Sequence, residues 1–155
     1  MAVTFAEAGE WKTAENYLDK LRALNESKKP KLVVVALDAA FSQGTIDYTV
    51  NLADRMRYDV LAINVRHSRG CQRIIHGKST KHLSVESRES FQSLVEKTSK
   101  HNIRCECLVS VEDIRLLLHK VRRMIKRIEI LLVQTDRAKN LSLQLDIPVF
   151  QIAST

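Results

Sequence analysis

Apolar and polar positions along the chain switch repeatedly between two periods. From Leu32 to Leu37 the run is uninterrupted, rich in valine, and stops at Asp38. A short apolar run bounded by polar residues reads as a strand buried on both faces, the mark of a central parallel strand. Helical spacing follows over Thr45–Arg57, with Ile46, Val50 and Ala53 on one side. Val60–Val65 is a second strand, and a long glycine-containing loop runs from Arg66 to about Lys81. Ser84–Lys100 is a helix with Phe91, Leu94, Val95 and Thr98 inward, and Ile103–Val109 is a third strand. Val111–Arg127 is strongly amphipathic, with Ile114, Leu117, Leu118, Val121 and Ile125 on one stripe. Ile130–Val133 makes a fourth strand and Pro148–Ile152 a fifth. Ahead of all of these, residues 4–25 place Phe5, Ala8, Trp11, Ala14, Leu18 and Leu21 at helical spacing, and Lys28-Lys29-Pro30 ends that helix.

Strands alternating with helices predict an α/β fold built on a largely parallel five-stranded sheet with helices on both faces. The first and fourth strands are apolar throughout and belong at the centre. The third alternates, with Ile103, Cys105, Cys107 and Val109 on one face and Arg104 and Glu106 on the other. The fifth carries Gln151 between Phe150 and Ile152. Alternation marks strands with a wetter face, as at an edge, and the order 3-2-1-4-5 satisfies all four. Residues 1–29 are read as an N-terminal amphipathic helix and linker, and 30–155 as the α/β domain. In that order the winding reverses between the first and fourth strands, so a ligand crevice is expected beyond their carboxyl ends, with Asp38 at its rim.

From Lys31 to about Ala153 the chain resembles the universal stress protein family. The resemblance rests on the strand closing at Asp38, the helix containing Tyr48-Thr49-Val50-Asn51-Leu52-Ala53, the strand Val60-Leu61-Ala62-Ile63-Asn64-Val65, the apolar Ile130–Val133, and Ile147-Pro148-Val149-Phe150-Gln151-Ile152 with its proline ahead of the last strand. It implies an adenine nucleotide alpha hydrolase-like fold, often dimeric through the last strand. ATP-binding relatives carry G-x2-G-x9-G followed by Ser or Thr after the fourth strand, where glycines let backbone N–H groups close on the phosphates. Here the only glycines are Gly9, Gly44, Gly70 and Gly77, and the motif is longer than the whole segment 134–147. Of the family's nucleotide contacts, Asp38 carries over, Val65 retains a backbone to offer a base, and Thr135 stands just beyond the fourth strand. ATP binding by the family's route is therefore not expected, and no cofactor is implied.

Charge changes the picture locally. The net charge is +7, yet residues 66–82 hold Arg66, Arg69, Arg73, Lys78 and Lys81 with no acid, and 112–127 hold six bases against Glu112 and Asp113. Arg69, Arg73 and Lys78 are candidates for an anionic ligand or acidic partner, against the plainer reading of a solvated cationic loop. Gly77-Lys78-Ser79 imitates the end of a phosphate-binding loop, but Gln72 stands where its first glycine belongs. The stripe Arg115, His119, Arg122 and Lys126 is what a surface helix shows. Nucleic acid is not expected as a partner, because neither basic segment holds an aromatic residue for stacking. Cys105 and Cys107 read as core residues, and Cys71 as a loop cysteine with a redox-sensitive alternative.

The five histidines show no metal-ligand spacing, no apolar run approaches the roughly 18–20 residues of a membrane span, and the acidic N-terminus is not a secretory signal. A cytoplasmic protein is the resulting expectation. No nucleophile–base pair is legible, so an enzyme is not expected. The chain is read as a non-catalytic stress-response module acting as a homodimer through protein–protein contacts. The alternative is a binding protein for a nucleotide or other anionic small molecule, using Asp38 and loop 66–82.

Overall fold

In the computed structural model, which describes residues 11–37, 39–65, 85–110, 113–135 and 146–153, the two periods resolve into a layered α/β arrangement. In chain order the elements are α1 (Trp11–Glu26), β1 (Lys31–Leu37), α2 (Gln43–Met56), β2 (Asp59–Val65), α3 (Val85–Lys100), β3 (Cys105–Ser110), α4 (Ile114–Met124), β4 (Ile128–Thr135) and β5 (Val149–Ala153). The five strands form one sheet in the order β3-β2-β1-β4-β5, with every pairing parallel. The predicted fold class and strand order are both observed.

Each strand sends alternate side chains to opposite faces. Leu32, Val34 and Ala36 of β1 join Val60, Ala62 and Leu132 in a core closed by Ile46, Val50 and Ala53 of α2 and Leu94 of α3. Val33 and Val35 face the other way, with Leu61, Ile63, Leu131 and Val133, under Leu117, Leu118 and Val121 of α4 and Leu21 and Leu24 of α1. Leu21 and Leu24 are fully buried, so α1 contributes to the main core. The Phe5 and Ala8 end of its predicted stripe lies outside the described residues.

Three helix-to-strand connections turn through a left-handed residue, Arg57 (φ 58°), Asn102 (φ 56°) and Arg127 (φ 63°). At the first, the Arg57 N–H returns to the Ala53 carbonyl. Such a residue ends a helix sharply and re-aims the chain into the sheet, a role usually given to glycine. None of the three is a glycine, so these helix ends are marked in the sequence only by where the apolar stripe stops. Helix α4 is shorter at both ends than the stripe predicted, because Asp113 caps its start by accepting the Arg115 N–H at 2.8 Å and Ile125 is already extended.

β3 is at an edge, as its alternation suggested, but the face read as wet is covered. Leu108 and Ser110 are buried there, and α1 lies across it. Lys20 of α1 donates to the Cys107 carbonyl at 2.9 Å, and Arg104 reaches back to the Ala23 carbonyl at 2.5 Å. The outer carbonyl row of β3 is thereby partly satisfied by a lysine.

Candidate functional site

The site is assembled where β1 and β4 end. Gln134, next to last in β4 after the apolar run Ile130–Val133, pairs with Ala36 in register and is fully buried. Its Oε1 accepts the Ser42 N–H at 2.8 Å, and its Nε2 donates to the Ala40 carbonyl at 2.9 Å. From the other side Asn64 of β2 donates to the Ala39 carbonyl at 3.0 Å. The Phe41 N–H donates to the Ser90 hydroxyl of α3 at 3.3 Å, and that hydroxyl donates in turn to the Ser87 carbonyl at 2.8 Å. The four residues after Asp38 are thus held by side chains from β4, β2 and α3, as buried backbone polar groups require.

Ser42 then opens α2. Its extended backbone (φ −70°, ψ 156°) and its hydroxyl, which accepts the Thr45 N–H at 3.2 Å, make it an N-cap. The Thr45 hydroxyl lies 2.9 Å from Ser42 Oγ, and buried Thr49 donates to the Thr45 carbonyl at 2.7 Å. The first turn of α2 is packed with its own short polar side chains.

Of the residues read from sequence, Val65 ends β2 between Leu37 and Ser110 and is buried, so what it turns to the crevice is backbone. Thr135 ends β4 opposite Ala153 and is partly buried. The sheet therefore brings Val65 and Thr135 to the same edge. Asp38, the loop with Arg69, Arg73 and Lys78, and the segment from Asp136 lie outside the described residues. Arg115, His119 and Arg122 line the solvent face of α4, Lys126 is exposed just past its end, and Arg122 pairs with Asp146 at 3.2 Å. Sequence reasoning missed Gln134, Asn64, Ser42 and Ser90. The first two carried a signal: each is a lone amide near the carboxyl end of an apolar strand, where an unpaired polar group is expensive to bury. Asn64 Oδ1 is buried without a hydrogen-bond partner among the described residues.

Among the described residues no set of three or more His, Cys, Asp or Glu gathers to hold a metal, and no helix is long and apolar enough to cross a membrane. No family model matches the sequence, and no curated relative does. Solved structures do match. A universal stress protein family member from Burkholderia pseudomallei superposes with a TM-score of 0.55 at 21% identity, covering 78% of this chain and 94% of its own. UspA from Lactobacillus plantarum gives 0.56 at 10% identity, with 83% and 100% covered. A universal stress protein in complex with cAMP gives 0.52 at 11% identity, with 83% and 100% covered.

The fold is that of the universal stress proteins. The resemblance read from residues 31–153 is matched in three dimensions by that universal-stress-protein sheet, with its reversal point between β1 and β4. At these identities the likeness is one of fold. What the crevice does has to be argued from this chain's own side chains.

Proposed function

We propose that this chain is a non-catalytic, universal-stress-protein-like regulatory module of the stress response, acting as a homodimer through protein–protein contacts, with the usual ATP route lost. The observation that carries the reading is the commitment of Gln134. Both ends of its amide are spent on the loop after β1, and the chain from Gln134 to Ile147 is too short to contain the family's glycine motif. A triphosphate held in the usual way needs several free backbone N–H groups on a glycine-rich turn, and this segment has no glycine to make one.

The dimer follows from the two sheet edges, which differ. β3 has Lys20 on its outer carbonyl row. β5 pairs only with β4 among the described residues, and Phe150 on it is half exposed. An unprotected edge is a template for another strand, and a second copy is the symmetric partner. Sedimentation equilibrium at micromolar concentration tests this: a dimer mass is expected, and a monomer removes the assembly from the proposal.

A second reading is favoured by one comparison, the related fold in complex with cAMP. In that reading Asp38, Val65, Thr135 and the cationic loop of Arg69, Arg73 and Lys78 receive a nucleotide or other anion that lacks a triphosphate. A melting-temperature panel of cyclic and monophosphate nucleotides separates the two, since a ligand that binds only the native state raises its melting temperature.

A further inference from the structure

Two thiols on β3 stand together outside the crevice. Cys105 and Cys107 are two residues apart on one strand, so their side chains leave the same face, and both pack partly buried against the α2–α3 core. The two thiols are near neighbours, with Thr98 of α3 next to Cys105. The ammonium of Lys20 is anchored on the Cys107 carbonyl at 2.9 Å, which puts a positive charge near Cys107 at the sheet edge.

From this arrangement we propose that Cys105 and Cys107 form a two-coordinate site for a soft monovalent cation, the cuprous ion. A tetrahedral divalent site would need more donors than the pair provides, and among the described residues no third His, Cys, Asp or Glu joins them. Two thiolates alone suit a soft ion that is content with two sulfur ligands. Residues two apart on a strand have Cα atoms about 6.4–6.8 Å apart, near the upper limit of disulfide geometry. A metal between the sulfurs lets them stand farther apart than the directly bonded sulfurs of a disulfide, so the strand need not distort.

Binding displaces both thiol protons: two R–SH and one Cu⁺ give an S–Cu–S unit of charge −1 and two H⁺, with no change of oxidation state. Lys20 offsets that negative charge.

The test uses the full-length chain, reduced and anaerobic, with Cys71→Ser to remove the loop thiol. Cu(I) is supplied as its coloured bicinchoninate complex, and uptake is read as loss of colour. One ion per chain is expected, with two protons released, and uptake should weaken by about tenfold or more in Cys105→Ala or Cys107→Ala. Circular dichroism checks that those variants fold. Should they not, iodoacetamide labelling of the Cys71→Ser chain decides, with Cu(I) expected to slow alkylation of both thiols together. Uptake unchanged by the alanine substitutions, uptake abolished by Cys71→Ser alone, or alkylation unaffected by the ion would overturn the site.

Discussion

Gln134 and Ser42 are joined across the carboxyl edge of the sheet: the side-chain oxygen of one accepts the backbone N–H of the other at 2.8 Å, 92 residues apart in sequence. The contact ties the end of β4 to the cap of α2 across the point where winding reverses. Replacing the amide with an apolar group of similar size, Gln134→Leu, leaves the partly buried Ser42 N–H and Ala40 carbonyl without these partners. We expect a loss of about 2–4 kcal/mol in a urea titration, since an orphaned buried group carries its full desolvation penalty. A change within about 0.5 kcal/mol would mean that the loop finds other partners.

Helix α1 is predicted to be part of the folding unit. Leu24→Ala, at a fully buried position, should destabilise the chain by about 2–5 kcal/mol through lost contact and a residual cavity. Leu116→Ala on the exposed side of α4 should change stability by no more than about 0.5 kcal/mol. Equal small effects at both positions would place α1 outside the cooperative core.

At the amino end of the sheet, Lys31 is buried at 1% exposure beside its register partner Asp59. Its ammonium donates to the Ser27 carbonyl at 2.7 Å and to the Lys29 carbonyl. Burial lowers its pKa from the ordinary 10.5; Asp59 opposes this, while Arg127 and Arg104 add to it. Between the lowered folded-state value and 10.5 the unfolded chain therefore binds more protons than the native one. Stability should rise with pH across that window and stay flat below it. Denaturation of the native chain and of Lys31→Met in parallel checks this: the variant should lack that alkaline rise, and identical slopes would rule Lys31 out as its source.

The ladder also predicts how to separate the dimer from the fold. Leu131 donates to the Pro148 carbonyl at 3.0 Å, so Pro148, Phe150 and Ile152 turn their backbone groups toward β4 and Gln151 turns its own outward. Gln151→Pro deletes an outward donor and no β4–β5 bond. Sedimentation should show a monomer with a native circular dichroism spectrum; a dimer of unchanged affinity would exclude pairing through this edge.

The central strands were legible because burial on both faces writes itself as an uninterrupted apolar run, in Leu32–Leu37 and Ile130–Val133 alike. The edges were legible from alternation in β3 and β5, although Leu108 shows that an edge strand need not have a wet face when another helix covers it. That covering could not be read, because the stripe of α1 says that it packs and not where. At the site, position was legible and role was not. Val65 and Thr135 were legible as strand-end residues, and each closes its strand. Gln134 acquired its role only through register, which sets its amide against Ala40 and Ser42. Asp38 and the arginines of the following loop lie outside the described residues.

Isothermal titration of the full chain with magnesium ATP at millimolar concentration is the most direct test of the whole account. We expect heats no different from dilution, because the segment after β4 has no glycine turn to surround the phosphates. A saturable isotherm near one nucleotide per chain, abolished by Asp38→Ala, would contradict the account and return this fold to the nucleotide-holding role.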